Sequence, residues 1–526
     1  MSAPARAAAS ASALIRGAIA SAGLYALLGT VAAATVIAAT LGGGDPILAL
    51  LPTALVAGLY LMATVPLRLS GAALLLASLA LEDKVDIDLQ WRSPLAILGD
   101  LLHQRIDTAL GISGVAVTGT EVILAFLFAV WVLRRTGSAE RVDGSSWVKP
   151  ASVIKPALVI YLGGVLLAEA MGLARGLSLA PWKLRNLLHP VALALFFLTA
   201  FRAEKDRLMV GRIVVFAAVC KAIQAVVVQR IAVAETGGLL AHATSHGDSV
   251  LGAVAMFILV ADLAERPARK RLFWAALLLP VLIVGAVENN RRLLWVMLLL
   301  GLVTWFLVCP MKGWKRAVTR ALVLTLPVAA LYVGVGWNRG GRIFAPVQTL
   351  RGVTDTSTDR SAFWREVENW NISMSLRERP ILGLGLGGEY TEIMANDDVS
   401  VGFKEYREWP HNTVLGQLLL MGLFGFTAVW LLPSLVIFLA VRSHRMAATA
   451  EQRVAAAACL ATVIACQVLA WGDTGAHFPQ YKIMMGLAVA VAARLAVATG
   501  AWPAPVRRYP ERVRASALPP ATTPAA

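Results

Sequence analysis

Apolar segments, most of them near the length of a membrane span, recur along almost the whole chain, from Leu14 to Ala498. A helix needs roughly 20 mostly apolar residues to span a bilayer, and these segments approach that length between connections that carry charges, proline or glycine. Hydrophobic residues make up 58% of the chain and charged residues 15%, which is a composition typical of membrane proteins. We therefore predict an all-α, polytopic transmembrane helix bundle of about 12–14 helices.

Two of the apolar segments, Leu69–Leu81 and Gly119–Leu133, are shorter than a usual membrane span. If either is re-entrant or lies in the interface, the number of spans falls from fourteen towards twelve. The number of helices before Gly119 is therefore the open part of this prediction.

Lysine and arginine concentrate on every second connection, which is the pattern of the positive-inside rule. The net charge of +16 is divided among these short clusters, so we interpret it as a topology signal and predict no nucleic-acid partner. Both termini are then cytoplasmic. The predicted parts are a cytoplasmic tail (1–13), transmembrane helices with short loops (14–336), an extracytoplasmic segment (337–410), C-terminal transmembrane helices (411–499) and a disordered cytoplasmic tail (500–526).

The segment 337–410 holds most of the polar side chains, and we expect it to be partly helical because a structureless loop of this length is uncommon. Phe363, Val367 and Trp370 have helical spacing, which predicts a helix with Arg360 in its first turn. The sequence GLGLGG that follows matches the spacing of a dinucleotide-binding loop, but no strand precedes it. We interpret Gly383, Gly385 and Gly388 instead as the residues of a tight, closely packed turn.

Four blocks in a fixed order resemble those of a known family. They are ATSHGDSVLGAVAMF (243–257), NNRRLLWVMLLLGL (289–302), RSAFW with ERPILGLGLGGEY (360–390), and HNTVLGQLLLMGLFGF (411–426). In order and spacing they are similar to the O-antigen ligase and O-antigen polymerase superfamily of bacterial envelope glycosyltransferases. The resemblance covers about residues 190–430; the N-terminal third resembles the family only in hydropathy.

The resemblance implies a membrane glycosyltransferase that moves a glycan from an undecaprenyl-diphosphate carrier to an acceptor hydroxyl. The implied partners are this donor, a glycan or lipid acceptor and membrane lipids, with no metal and no cofactor. The implied location is the bacterial inner membrane, with the active site facing the periplasm. Whether the chain would act as a ligase or as a polymerase stays open.

Arginines of the family blocks are predicted to bind the diphosphate, because a guanidinium binds phosphate oxygens with two parallel hydrogen bonds. We name Arg291 and Arg360, with Arg292 as the alternative to Arg291. Asn290 and Arg292 stand where the family commonly has a serine and a small residue, so the choice between the two adjacent arginines is open.

His411 is the predicted catalytic base, since a neutral imidazole can accept the proton of an attacking hydroxyl. Asn412 is predicted either to orient the imidazole or a sugar hydroxyl, or to cap the following helix. Trp364 and Tyr390 are predicted to stack on sugar or isoprenoid, or to be interfacial aromatic residues without a binding role.

A membrane transporter or a flippase of lipid-linked oligosaccharide is the alternative function. Such a protein would carry ionisable residues at mid-membrane or repeated halves; only Glu169 and Lys221 approach the first condition, and we find no internal repeat. Other polar groups left open are His242, His246 and Asp248 as a metal site, and Asp473 and His477 as acceptor contacts. The four cysteines, which lack metal-ligand spacing, predict neither zinc nor disulfides; they are Cys220, Cys309, Cys459 and Cys466.

Overall fold

A computed structural model describes residues 64–81, 96–106, 117–137, 145–177, 180–310, 313–339, 360–396 and 406–502, together with short stretches between 29 and 60 and the single residues 344, 347 and 351. Within these residues the protein is α-helical and contains no strand. The predicted N-terminal tail, 1–13, lies outside the described residues, as do residues 503–526 of the predicted C-terminal tail, 500–526. The predicted all-α polytopic class is confirmed.

We label fourteen α-helices in the described part of the chain. They are α1 (Leu67–Ala80), α2 (Ala96–His103), α3 (Gly119–Gly137), α4 (Ser145–Ala174), α5 (Ala180–Ala200), α6 (Glu204–Thr236), α7 (Asp248–Glu265), α8 (Arg269–Asn289), α9 (Arg292–Val308), α10 (Gly313–Gly336), α11 (Arg360–Glu378), α12 (Thr413–Met446), α13 (Ala450–Gly472) and α14 (Pro479–Ala498).

Seven of the described helices are long and apolar enough to cross a membrane: α4, α6, α8, α10, α12, α13 and α14. Three further apolar helices are shorter, and these include α1 and the apolar part of α3, as the sequence predicted. The total of about 12–14 spans stays a prediction, because several of the counted segments lie partly outside the described residues.

The chain divides into two compact units, Met1–Ser70 with Ala125–Ala139, and Gly71–Leu124 with Glu140–Ala526. At the centre of the second unit lies α13, which packs against α7, α9, α12 and α14. Its sequence is rich in alanine, and small side chains let transmembrane helices approach closely. The apolar window of α13 is 67% buried, whereas none of the equivalent window of α10 is buried, so α13 forms the core and α10 lies at its periphery.

The predicted helix in the segment 337–410 is confirmed: α11 begins at Arg360. Of the three apolar residues whose spacing predicted the helix, Val367 is buried, whereas Phe363 is 44% and Trp370 38% exposed. The buried stripe of α11 is mostly polar and comprises Val367, Glu368, Asn371, Ile372 and Ser375.

Polar side chains of α11 hold the chain that follows it. The Asn371 carboxamide accepts hydrogen bonds from the backbone N–H groups of Ile393 and Met394 and donates one to the carbonyl of Met394, with a donor–acceptor distance of 2.8 Å for the last. The Ser375 hydroxyl accepts from the N–H of Thr391 at 2.9 Å. Because these bonds satisfy backbone groups that a loop would otherwise leave buried and unpaired, the helix is fixed by polar contacts that hydrophobic spacing cannot reveal.

Backbone hydrogen bonds join the glycine-rich turn after α11 to two membrane helices. The N–H groups of Leu384 and Gly385 donate to carbonyls of α12 at 2.9 and 2.8 Å, and that of Leu386 donates to a carbonyl of α4 at 3.0 Å. The helix α12 is itself interrupted at Gly422, where φ is 59°. Gly383 and Gly385 have φ of 71° and 82°, which confirms the predicted tight turn at these two positions.

Replacing Gly385 with alanine should strongly destabilise the protein. A Cβ there would lie 2.4 Å from the backbone nitrogen of Gly172, in addition to the roughly 1–2 kcal/mol cost of a left-handed conformation for a residue with a side chain. Gly176 is the matched control, because its φ is 72° but a Cβ would meet nothing within 4 Å. Thermal unfolding in detergent should show a larger loss for Gly385→Ala than for Gly176→Ala; equal losses would contradict the close backbone contact.

Candidate active site

Ionisable side chains from five elements converge at one end of the helix bundle. We call them the His411 cluster; its members are His246, Arg291, Arg365, Glu368, His411 and Asp473. They come from the loop before α7, the turn between α8 and α9, the helix α11, the residues before α12 and the end of α13. We call this end of the bundle the His411 end.

His411 is bound to Glu368 through both its backbone and its ring. The backbone N–H donates to the two carboxylate oxygens at 3.2 and 3.1 Å, and Nδ1 lies 3.3 Å from Oε1. The Glu368 side chain is 2% exposed and that of His411 37%. Since Nδ1 is the ring atom bound to the carboxylate, Nε2 carries the lone pair in the neutral ring. The arrangement resembles the carboxylate–imidazole pair of acid–base enzymes.

The environment of His411 raises its pKa above the usual 6.5. The largest cause is the hydrogen bond to Glu368, which burial of the ring opposes. The negative charges of Glu368 and Asp473 raise the pKa further, while the positive charge of Arg365 lowers it. His411 is therefore a stronger base than a free imidazole.

The residues just before His411 are anchored to α5. Lys183 and Glu408 form a buried ion pair of 2.7 Å, and the Lys183 ammonium lies 4.1 Å from the ring centroid of Trp409. Trp409 also packs edge-on against His477, and burial holds the pKa of His477 well below the usual value. His477 therefore belongs to the packing around Trp409, two residues before His411.

A second chain of polar contacts runs from Asp473 through His246 to Arg291. The Asp473 carboxylate pairs with Nδ1 of His246, and Nε2 of the same ring contacts the Arg291 guanidinium. Arg291 also donates to the backbone carbonyl of Thr244 at 3.2 Å. The imidazole thus links a carboxylate on α13 with the arginine that precedes α9.

Burial raises the pKa of Asp473, but the hydrogen bond and charge of His246 outweigh it. The N–H of Thr474 and the charge of Arg365 act in the same direction as His246, and the pKa falls to about 2. Asp473 stays ionised at neutral pH and balances the positive charge gathered around it.

The turn between α8 and α9 decides which of the two adjacent arginines joins the cluster. Asn290 has φ of 50° and ψ of 36°, a left-handed conformation that asparagine tolerates better than most residues. Its neighbour Asn289 accepts a hydrogen bond from the Thr244 N–H at 2.8 Å and so fastens the turn to the loop before α7. Arg291 follows as the N-cap residue and contacts His246, whereas Arg292 is the first residue of α9 and is exposed.

Asn412 is the N-cap of α12, since its side-chain oxygen accepts from the N–H of Leu415 at 3.1 Å. The capping role left open by the sequence is therefore its observed role, and His411 does not cap the helix. Thr413, the first residue of α12, donates its hydroxyl to the Asp473 carbonyl at 3.0 Å. This bond joins the start of α12 to the end of α13 and holds the two halves of the cluster together.

The other predicted binding residues are divided among different environments. Tyr390 is completely buried with Ile372 and Leu419, so it packs in the core and cannot stack on a sugar in this conformation. Trp364 is half-buried and packs edge-on against Phe363. Arg360 begins α11, but its side chain lies outside the described part of the structure.

Arg365 and Glu368 are functional candidates that sequence reasoning missed. They lie three residues apart on α11 and therefore on one face of the helix. The charge of Arg365 acts on both His411 and Asp473. The available signal was a charged pair at helical spacing in a segment predicted to be outside the membrane, but such a pair is usually a solvated face.

The three residues considered as a metal site all have other contacts, and the ring of His242 packs against that of His246 with centroids 5.7 Å apart. His246 bonds Asp473 and Arg291, whereas Asp248 accepts from Gln480 at 3.1 Å and lies 3.5 Å from the Lys221 ammonium. Asp248 is the first residue of α7. Its ion pair with Lys221 therefore places that lysine at the level of the start of α7. Among the described residues one group has metal-ligand proximity, Glu265 with Cys309 and His444, at the opposite end of α7 from the cluster. Its carboxylate is already paired with Arg453 at 2.6 Å.

The sequence matches no model of a known protein family, and no curated protein is significantly similar to it. The resemblance of its blocks to the O-antigen ligase and polymerase superfamily therefore stays a prediction. What the His411 cluster can do must be argued from its geometry and charges.

The contact with Glu368 predicts an abnormal titration of His411. The protein has seven histidines, which can be isotopically labelled for NMR. The signal that disappears in His411→Asn belongs to His411, and in the parent protein it should titrate above pH 6.5. Glu368→Gln removes the negative charge but keeps a hydrogen-bond acceptor, so the His411 pKa should fall. Glu366→Gln removes the same charge from an exposed position on α11 and should leave the pKa almost unchanged. If the His411 pKa were the same in the parent, in Glu368→Gln and in Glu366→Gln, the pairing of His411 with Glu368 would be excluded.

Proposed function

We propose that the protein is a membrane glycosyltransferase that moves a glycan from a polyprenyl-diphosphate carrier to a hydroxyl group of an acceptor. The observation that carries the proposal is His411, whose ring is bound through Nδ1 to the buried Glu368 carboxylate and is partly exposed beside Arg365. A base next to fixed positive charge is what transfer from a diphosphate requires. The family resemblance of the same blocks also supports the proposal.

In the proposed reaction the acceptor hydroxyl gives its proton to Nε2 of His411. The acceptor oxygen attacks the anomeric carbon, and the bond from that carbon to the phosphate oxygen breaks. The carrier diphosphate leaves with the bonding electron pair, and attack opposite the leaving group inverts the anomeric centre. Glu368 holds the imidazole in place and stabilises the imidazolium that forms.

Arginine side chains would bind the diphosphate and its developing charge. Arg291 is held by His246 and the Thr244 carbonyl, and Arg365 acts on the charge of His411. Arg360 starts α11, where the N-terminal end of the helix also favours an anion. We assign the diphosphate to Arg291, Arg365 and Arg360, and not to Arg292, which is exposed at the start of α9.

The proposed location is the inner membrane, with the cluster at the periplasmic face. Support comes from α7, which begins two residues after His246 and ends next to the basic sequence RPARKR at 266–271. Eighteen residues of helix are about 27 Å long, close to the thickness of the hydrocarbon core. If the basic sequence faces the cytoplasm, the His411 cluster faces the opposite side, where the lipid-linked glycan would be presented.

The proposal is tested with purified protein in liposomes that contain a polyprenyl-diphosphate glycan and an acceptor. His411→Ala should lower kcat by about 10²–10⁴-fold, the usual contribution of a general base, while binding of the donor is retained. Transfer at the parental rate by the variant would remove the base assignment. Movement of the glycan lipid across the bilayer without any transfer would favour the alternative of a flippase.

The raised pKa of His411 gives the reaction a predictable pH dependence. Only the neutral imidazole accepts a proton, so kcat should rise with pH through the His411 pKa, at a value above 6.5. Glu368→Gln should move this rise to lower pH, and Glu366→Gln should not. If the profile of Glu368→Gln keeps the parental midpoint, Glu368 contributes to folding alone.

The two adjacent arginines provide an internal control. Arg291→Ala should lower kcat/KM at least tenfold, because a hydrogen-bonded charge on the diphosphate is lost. Arg292→Ala removes an equal charge from the exposed start of α9 and should reduce kcat/KM less than threefold. The same assay on both variants, with thermal unfolding as a check of folding, decides the assignment; a reversed order would give Arg292 the role at the donor.

A further inference from the structure

An apolar groove lies on the second unit of the protein, away from the His411 cluster. It has a volume of about 820 Å³ and is lined by α6, α7, α8, α13 and α14. Its floor and walls carry mostly aliphatic residues, such as Val215, Ile258 and Leu278. Phe216 and Trp274 line it as well and are 57% and 46% exposed. A groove of this volume and lining is of the size that binds one small-molecule or lipid chain.

Only one end of the groove is charged. The basic residues there are Arg207, Arg212, Arg266, Lys270 and Arg271, and the acidic ones are Glu204, Asp262 and Glu451. Each acid is matched within the groove: Glu204 pairs with Arg207 at 2.6 Å, Asp262 with Arg266 and Arg271, and Glu451 with Arg266 at 2.7 Å. This end therefore has an excess of two positive charges.

The excess charge belongs to Arg212 and Lys270. Both are exposed, and neither forms an ion pair with any residue that the structure describes. Trp274 lies one helical turn after Lys270 on the same face of α8, and tryptophan is enriched where the membrane meets water. The charged end thus combines two available cations with an interfacial aromatic ring, at the level expected for lipid headgroups.

The length of the groove matches one leaflet of a bilayer. On α7 the lining runs from Asp262 to Val254, on α8 from Arg271 to Leu278, and on α13 from Glu451 to Thr462. At 1.5 Å per residue these stretches are about 10–17 Å long, and the lining of α6, from Glu204 to Val219, is about 22 Å long. Half of a hydrocarbon core is about 15 Å, and half of a bilayer with its headgroups is about 20–22 Å. The groove is therefore charged at headgroup level and apolar over the depth of one set of acyl chains.

We propose that this groove binds one anionic phospholipid of the leaflet at this end of the bundle, with its phosphate at Arg212 and Lys270 and its acyl chains along α6, α8 and α13. The positive excess at the charged end selects an anionic headgroup over a zwitterionic one. The site is separate from the His411 cluster and does not depend on the proposed reaction. The basic sequence 266–271 predicts that this leaflet is the cytoplasmic one.

The test is native mass spectrometry of the full-length protein, delipidated in detergent and titrated with phosphatidylglycerol or with phosphatidylcholine of the same chain lengths. Phosphatidylglycerol should bind at one site at least tenfold more tightly. Arg212→Ala combined with Lys270→Ala should weaken it roughly 10- to 30-fold and bring it to the level of phosphatidylcholine. Arg316→Ala with Arg320→Ala is the control, because it removes the same charge from exposed positions on α10 outside the groove.

A second pair of variants tests the acyl-chain part of the site. Gly211 lines the groove, and a Cβ there would meet no atom within 4 Å. Gly211→Phe should therefore fold normally and weaken both lipids by occupying the space. Gly163→Phe is the control, since Gly163 on α4 is equally open and lies outside the groove.

Three results would overturn the proposal. They are equal binding of the two phospholipids, parental binding of phosphatidylglycerol by the Arg212 and Lys270 double variant, and displacement of bound phosphatidylglycerol by a polyprenyl phosphate at equal concentration. Loss of glycan transfer in the His411 and Arg291 variants has no bearing on this site, so the two proposals fail independently.

Discussion

The contact between Glu368 and His411 is the interaction on which the functional end of the protein depends. A carboxylate that is 2% exposed needs hydrogen-bond donors, because a buried charge without partners is costly. Glu368 finds them in the backbone and ring of His411. These hydrogen bonds attach α11 to the start of α12, and they also orient the imidazole. One contact therefore determines both the fold of the segment and the chemistry of its histidine.

Backbone hydrogen bonding shapes the rest of the segment. Where α12 breaks at Gly422, its carbonyls lack their helical partners, and unpaired polar groups are costly next to lipid. The turn at Gly383 and Gly385 provides N–H groups for the carbonyls of Leu419 and Leu420. The interrupted helix and the glycine turn thus satisfy each other's backbone hydrogen-bonding groups. Their glycines allow the two backbones to approach more closely than a Cβ would permit.

The two ends of α7 differ in chemistry. At the His411 end, His246 and Asp473 hold Arg291 among groups from several helices. At the other end, Arg212 and Lys270 stand at the mouth of an apolar groove. At the first end the arginines are held among carboxylates and histidines and suit a diphosphate in a reaction, whereas at the second the excess positive charge is exposed and suits a lipid headgroup.

Hydrophobic length, helix starts and left-handed backbone positions are local properties of a chain, so the sequence predicted the all-α membrane bundle, the start of α11 and the close turn at the glycines. It could not decide between Arg291 and Arg292, which depends on the turn at Asn290 and on a histidine 45 residues away. Nor could it find the buried polar face of α11. Only the tertiary structure brought Asp473 and Glu368 to their histidines, since ion pairs between distant residues leave no periodic signal in the chain.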